Sequence, residues 1–173
     1  MNKLSKPESG QSADDILKYW QEAVPKDRLA HLIKDVTRAL VRELQARLSD
    51  YDIPFGYWTF LRILWEEDGL TQRELSARAG VMEPTTFRAL NAMEERGYIV
   101  RKRASDNKKN VYLFLTRRGR FLKRKLVPLA EEVNEIAVAG IRVSDIETTR
   151  NTLLTMLRNL ALDEAASNSK SKT

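Results

Sequence analysis

The stretch LTQRELSARAGVMEPTTFRALNAMEERGYI, residues 70–99, decides the fold of this chain. Its first half predicts a short helix, because Thr71 and Glu74 have the spacing of a capping box and Gly80 suits the left-handed residue that ends a helix. Pro84 then suits the first turn of a second helix. Two helices of this length, joined by a turn that contains glycine, indicate a helix-turn-helix.

The residues after the second helix predict a β-hairpin with a basic tip. The β-prone runs Tyr98–Arg101 and Val111–Leu115 flank Ser105–Asn110, a turn-rich and basic connection. A helix-turn-helix followed by such a hairpin is a winged helix. The predicted fold class is therefore mostly α with a small β-hairpin wing, an α+β chain.

Helical periodicity extends to the N-terminal side of this unit. Asp14–Val24 predicts a short helix, and Leu29–Leu48 predicts a long one with an apolar residue every three or four positions. Phe55–Glu67 predicts a third helix, rich in aromatic residues.

Two further helices are predicted after the hairpin. Thr116 caps the first, and Pro128, which removes a backbone donor, predicts a bend near Arg124–Val127. The second opens with another capping box, formed by Ser144 and Glu147. The apolar stripes of the first long helix and of these two helices are longer than a small winged helix can bury, which favours a partner chain.

Positive charge is concentrated in one segment. The 173-residue chain has a net charge of +6, and twelve of its Lys and Arg residues lie between Arg96 and Lys125 with Asp106 as the only acid. Such a segment is typical of a protein that binds a polyanion, although a merely solvated face is the alternative. With no apolar run long enough for a membrane and no secretory signal, we expect a cytoplasmic protein.

The residue types also exclude several kinds of chemistry. With no cysteine and one histidine, the chain has no disulfide, thiolate zinc site, thiol redox sensor or histidine metal cluster. We find no Ser/His/Asp or Cys/His set, no glycine-rich phosphate loop and no paired carboxylates at a plausible site. An enzyme is therefore the least favoured class, and no cofactor or metal is expected.

Three motifs carry a resemblance to a known family. They are LTQREL at Leu70–Leu75, TTFR at Thr85–Arg88 with MEERGYI at Met93–Ile99, and LTRRG at Leu115–Gly119. Their order and spacing, over about residues 26–165, resemble those of the MarR family, the multiple-antibiotic-resistance-type regulators.

The resemblance implies a transcription regulator, a repressor, that binds a double-stranded DNA operator of pseudo-palindromic sequence. It also implies a two-fold homodimer interlocked by its N- and C-terminal helices. Two positions depart from the family pattern: Phe87 stands where the family has threonine, and Asn107–Lys109 stands where it has an acidic-x-Arg wing tip.

These segments define the predicted domain organisation. Residues 14–50 and 117–165 are the N- and C-terminal dimerisation helices, and residues 51–116 are the winged helix-turn-helix. Residues 1–13 and 166–173 are expected to be disordered tails.

The second helix of the helix-turn-helix carries the chemistry for reading bases. Thr85, Thr86 and Arg88 supply hydroxyls and a forked cation at the end of a recognition helix that enters the major groove. Asn91, one turn further on, is a second candidate reader. The alternative for Arg88 is an ion pair with a neighbouring carboxylate.

Other residues suit the sugar-phosphate backbone. Thr71 and Gln72 begin the preceding helix, where side chains and free amides bind phosphate. Basic residues of the wing suit the minor groove or flanking phosphates, namely Arg101, Arg103, Lys108 and Lys109.

A small-molecule site is a further hypothesis. Eight of the thirteen aromatic residues lie between Tyr19 and Trp65, and the resemblance implies a small aromatic effector bound near Phe55–Trp65. The candidate walls and anchors are His31, Tyr51, Phe55, Trp58 and Arg62. The alternative is that the aromatic residues are core and the histidine lies on the surface.

Two other functions stay open at this point. One is a sequence-tolerant or architectural DNA-binding protein without a ligand, which a specificity ratio over random DNA would separate from an operator-binding repressor. The other is a winged helix used only for protein contacts, which the basic hairpin tip disfavours.

Overall fold

The structure, a computed structural model, describes residues 12–22, 29–103 and 110–170. Seven helices and three short strands follow one another in this part of the chain: α1 (Ala13–Glu22), α2 (Leu29–Ser49), α3 (Phe55–Glu66), β1 (Leu70–Thr71), α4 (Gln72–Ala79), α5 (Glu83–Glu95), β2 (Ile99–Arg103), β3 (Val111–Leu115), α6 (Arg117–Val138) and α7 (Val143–Lys170). The predicted fold class is confirmed.

The described residues divide into two compact units. The first extends to Asn134, and the second begins at Glu135 and contains α7. Within the described residues, every helix is too short or too polar to cross a membrane.

The helix-turn-helix forms as its local sequence predicts. Thr71 Oγ1 accepts a hydrogen bond from the Glu74 amide at 3.3 Å, and the Glu74 carboxylate accepts one from the Thr71 amide at 2.8 Å. Gly80, with a φ of 62°, ends α4 in the left-handed region. Pro84 lies in the first turn of α5, where its missing N–H costs nothing.

A three-stranded antiparallel sheet closes the winged helix. β3 lies between β1 and β2, with Leu70 opposite Leu113 and Ile99 opposite Leu115. The hairpin strands were predicted, but β1 was not, because two residues are too few to show the alternation of a strand. Leu70, Leu113 and Leu115 are all buried against the helices.

The glycine of the LTRRG motif allows the wing to pack against α6. A Cβ at Gly119 would lie 2.1 Å from the Tyr98 carbonyl oxygen, far inside van der Waals contact. Thr116 caps α6 as predicted, since its Oγ1 accepts a hydrogen bond from the Gly119 amide at 3.0 Å. The Gly119 carbonyl in turn accepts a hydrogen bond from Trp65 Nε1 at 2.9 Å. Any larger residue at this position would push the wing and α6 apart.

The C-terminal helix differs from the prediction at both ends. Ser144 lies inside α7, so the predicted capping box with Glu147 is wrong; the Arg142 carbonyl instead accepts the first amides of the helix. α7 also continues to Lys170, so the tail expected from residue 166 is helical as far as that residue. Its alanines and charged residues, with no glycine or proline, favour the helix.

The segments predicted to be disordered tails lie partly outside the residues that the structure describes. Of the N-terminal tail, residues 1–11 lie outside, whereas Ser12 precedes α1 and Ala13 begins it. At the other end, residues 171–173 lie outside. Pro128 lies within α6, which continues past it, and the bend near it stays a prediction.

Candidate nucleic-acid interface

Helix α5 presents two faces of different character. Thr86, Leu90 and Met93 are fully buried against the core. Thr85, Phe87 and Arg88 are exposed, and Asn91 is half-buried one turn beyond Arg88. The exposed face therefore carries hydroxyl, guanidinium, aromatic and amide groups together.

The sequence predicts a DNA contact for Thr86, but in the structure this residue does not lie on the exposed face of α5. Its side chain has no exposed surface, and its hydroxyl lies 3.2 Å from the Met82 carbonyl and 3.3 Å from Ser76 Oγ. Thr86 therefore joins the two helices of the motif and cannot reach a base. Its spacing of four and seven residues from Leu90 and Met93 puts it on their face of the helix.

The ion pair considered for Arg88 is formed by Arg101 instead. Arg88 is exposed, and no carboxylate of the described residues pairs with it. Arg101 instead pairs with the Glu94 carboxylate and donates a hydrogen bond from Nη2 to Asn91 Oδ1 at 2.7 Å. Arg101 therefore joins the wing to α5 in this structure, and its contact with phosphates or the minor groove stays a prediction.

This bond fixes the orientation of the Asn91 amide. A guanidinium can donate hydrogen bonds but not accept them, so Asn91 Oδ1 must face Arg101. The amide nitrogen, a donor only, is then the group left for other partners.

At the start of α4 the capping box uses the Thr71 side chain. Thr71 Oγ1 donates a hydrogen bond to Glu74 Oε2 at 2.7 Å, so in this structure its proton is used within the protein, and its contact with phosphate stays a prediction. The Thr71 backbone N–H and then its hydroxyl hold the pKa of Glu74 below its ordinary value. Gln72, half-buried at the first position of α4, remains a candidate for phosphate.

The wing contributes exposed cations from strand β2. Lys102 and Arg103 are exposed, and Lys102 Nζ lies 5.4 Å from the centre of the Phe114 ring. The predicted contacts of Lys108 and Lys109 lie outside the described residues. Arg103 is thus the predicted wing residue that the structure leaves available.

Part of the basic segment is used within the protein. Arg96 pairs with Asp52 at 2.6 Å, and the hydrogen bond to this carboxylate raises the pKa of Arg96. Arg120 pairs with Asp68 at 2.9 Å. The positive charge of the segment is therefore not presented to a partner as a whole.

A cleft of about 510 Å³ lies between α2, α3 and α6. Phe55, Trp58 and Arg62 line it, as predicted. The other lining residues come from the same three helices: Leu40, Val41, Leu44, Thr59, Trp65, Glu66, Lys123, Val127, Ala130, Glu131, Val133 and Asn134. Trp58 and Trp65 meet edge to face with their ring centres 5.7 Å apart.

Two predicted residues of the small-molecule site lie elsewhere. His31 is exposed near the start of α2, more than two turns before the first cleft residue of that helix. Tyr51 is 42% exposed in the loop after α2. Sequence reasoning also missed Lys123, because the periodicity of α6 does not say which helix its polar face meets.

Comparison with known proteins finds a match to one family model and to several transcriptional regulators. The model of the MarR family matches residues 57–111. An organic hydroperoxide resistance transcriptional regulator of Bacillus subtilis is 24% identical over 78% of this chain and 90% of its own length. The transcriptional regulator Hpr of Bacillus cytotoxicus is 32% identical over 62% of this chain but only 56% of its own length.

Solved structures agree with these relatives. A MarR family transcriptional regulator from Listeria monocytogenes, solved in complex with 26mer DNA, has a TM-score of 0.70 and 26% identity over 78% of this chain and 90% of its own. A MarR transcriptional regulator from Methanosarcina mazei has a TM-score of 0.70 and 27% identity, over 78% and 96% of the two chains. These relatives are regulators rather than enzymes. With its helix-turn-helix, wing and LTRRG junction, the chain is similar over most of its length to MarR-family winged-helix transcriptional regulators, and the family model, the relatives and the solved structures together support that assignment.

Proposed function

We propose that this protein is a DNA-binding, ligand-responsive repressor that acts as a homodimer on a pseudo-palindromic operator. The observation that carries the proposal is the exposed face of α5, on which Arg88 pairs with no carboxylate of the described residues. A recognition helix needs such a forked cation, because it can grip guanine O6 and N7 together. Similarity to a regulator family, with a relative solved on DNA, supports the same reading.

The neighbours of Arg88 complete the proposed base contacts. The Thr85 hydroxyl, exposed in the first turn of α5, binds a phosphate or a base edge. Asn91 presents only its amide nitrogen, so it donates to an acceptor such as guanine O6 or thymine O4. It does not make the two-bond contact with adenine, for which the amide oxygen is also required.

The sugar-phosphate backbone is held by residues on either side of this face. Gln72 at the start of α4 is placed where backbone amides and the helix dipole favour an anion. Arg103 on β2, with Lys108 and Lys109 further along the sequence, supplies positive charge for flanking phosphates.

Exposed apolar side chains support the homodimer. In the first unit, α2 exposes Leu29, Leu32 and Val36. In the second unit, α7 exposes Leu153, Leu154, Leu157, Leu160 and Leu162. Two-fold pairing of such faces buries them and presents two recognition helices about one DNA turn apart, roughly 34–36 Å.

The cleft between α2, α3 and α6 is the proposed effector site. Its volume of about 510 Å³ is within the range of small-molecule sites. Trp58 and Trp65 offer flat apolar walls, while Arg62 and Lys123 offer cations, so a small aromatic acid or phenol fits its chemistry. Since helices from both sides of the winged helix form the cleft, an occupant changes the free energy of one dimer arrangement relative to another.

Substitution of Arg88 tests the DNA-binding proposal. Arg88→Ala is expected to cost about 1–3 kcal/mol at a selected operator and to relax the preference for guanine at one position in each half-site. Lys109→Ala, the matched control, should weaken binding to all sequences alike and lower the salt slope by about one. Fluorescence anisotropy against the selected duplex and random DNA measures both effects.

Two results would count against this reading. If Arg88→Ala binds the selected duplex as tightly as the unsubstituted protein does, α5 is not the recognition helix. If the unsubstituted protein binds selected and random duplexes equally at physiological salt, it is a sequence-tolerant DNA-binding protein instead.

A further inference from the structure

Phe87 is an apolar side chain on the face of α5 that otherwise carries polar groups. It is 50% exposed, whereas the core-facing residues of the same helix, Leu90 and Met93, are fully buried. It lies beside Arg88 in sequence and one turn before Asn91. Keeping half of a phenyl ring in water forgoes burial energy, so its exposure is not explained by the fold.

The ring is held next to a positive charge rather than next to other apolar groups. Arg101 Cζ lies 6.0 Å from the centre of the Phe87 ring. Arg101 is itself held by the Glu94 carboxylate and by Asn91 Oδ1. The same guanidinium therefore lies beside the Phe87 ring and orients the Asn91 amide. An apolar protein partner would have to cover this arginine and the neighbouring Arg88, whereas a nucleic acid supplies negative charge for both.

We propose that Phe87 reads the C5-methyl group of a thymine in the major groove, and the proposal rests on the DNA-binding function given above. The thymine methyl is the one apolar group that a base pair presents in that groove, and an aromatic side chain can make contact with it. Because Phe87 and Arg88 are adjacent on α5, the thymine lies within a base pair or two of the guanine that Arg88 grips.

The contact would make Phe87 a specificity-determining residue, since guanine, adenine and cytosine carry no methyl group. Burying one methyl group corresponds to about a fourfold change in affinity. Replacement by leucine keeps an apolar contact and part of this preference, whereas replacement by alanine removes it.

The test uses a duplex enriched by the unsubstituted protein from a random-sequence library. Each thymine of the duplex is replaced in turn by uracil, which removes the methyl group and leaves the base-pairing edge unchanged. We expect the unsubstituted protein to lose about fourfold in affinity at one position in each half-site. Phe87→Ala should bind the thymine and uracil duplexes equally and still prefer guanine at the position read by Arg88.

Phe121→Ala is the matched control, because Phe121 is 52% exposed but lies on α6. It should keep the full preference for thymine over uracil, and the circular dichroism melting curves of both variants should show that they fold. Equal binding of thymine and uracil duplexes by the unsubstituted protein, or an unchanged preference in Phe87→Ala, overturns the proposal for Phe87 alone. Failure to enrich any duplex overturns the DNA-binding function together with it.

Discussion

Roles of single residues on α5 depend on which face they occupy and which partner they find. Thr85 and Thr86 are identical in type and adjacent, yet one is exposed and the other is fully buried. Arg88 and Arg101 are both arginines predicted to contact DNA, yet Arg101 pairs with Glu94 and Arg88 is exposed. Helical periodicity can separate the threonines, because Thr86 shares the spacing of the buried leucine and methionine. No local pattern separates the arginines.

Arg101→Met is predicted to change base preference rather than overall affinity. Without the guanidinium, Asn91 Oδ1 is free to accept a hydrogen bond, so the amide can pair with adenine through both of its atoms. Competition binding should then show adenine accepted at the Asn91 position, where the unsubstituted protein discriminates against it by about 1–3 kcal/mol.

Arg103→Met, on the same strand, is the control for Arg101→Met. Arg103 is exposed, and its loss should weaken binding to all duplexes by a similar factor. If Arg101→Met behaves in the same uniform way, Arg101 contacts phosphate in the complex and the proposed orientation of Asn91 is wrong.

At the scale of whole elements, a capping-box sequence marks the start of a helix only when its first residue has an extended backbone and so lies outside the helix. The Thr71–Glu74 capping box forms because Thr71 is extended, with φ −72° and ψ 159°. Ser144 and Glu147 have the same spacing, but α7 has already begun at Val143. The spacing alone therefore predicts one start correctly and the other wrongly.

Helix α7 is predicted to associate through its exposed leucines. Sedimentation at micromolar concentration should give a mass twice that of the 19.9 kDa chain. Leu157→Glu, at a position 63% exposed, should shift the protein towards monomer because it places a charge in the buried interface.

Thr148→Glu, at an exposed position, adds the same charge to α7 about 180° around the helix from Leu157 and should leave the dimer intact. A monomeric unsubstituted protein would contradict the proposed assembly. Dissociation by both variants would show that added charge, and not loss of the leucine face, separates the chains.

In the molecule as a whole, the basic residues of the segment from Arg96 to Lys125 have different partners and lie at different places. Arg96 and Arg120 pair with the carboxylates of Asp52 and Asp68, and Lys123 lines the cleft between α2, α3 and α6. Arg103 remains exposed on the wing. The net charge of the segment is therefore larger than the positive charge that its surface presents to a polyanion.

The cleft is predicted to couple effector and DNA binding. Titration with a panel of phenolic acids should change the tryptophan fluorescence, because Trp58 and Trp65 line the cleft. A ligand that does so should weaken operator binding by roughly 5–150-fold, the usual range of such coupling. Arg62→Ala should reduce both effects by removing a cation that pairs with the carboxylate.

His31→Ala is the matched control for Arg62→Ala, since His31 is exposed and does not line the cleft. It should respond to the acids as the unsubstituted protein does. A flat fluorescence response to the whole panel would remove phenolic acids as effectors.

The sequence by itself determined the winged helix-turn-helix, the cap of α4, the turn at Gly80 and the exposed positions of Thr85 and Arg88. Each depends on interactions between residues a few positions apart, or on helical spacing, which a linear sequence displays directly. Tertiary structure alone decided the pairing of Arg101 and the meeting of Arg62 with Lys123 in one cleft. Those depend on how separate helices and strands pack, and hydrophobic periodicity indicates that a face is buried without indicating what it is buried against.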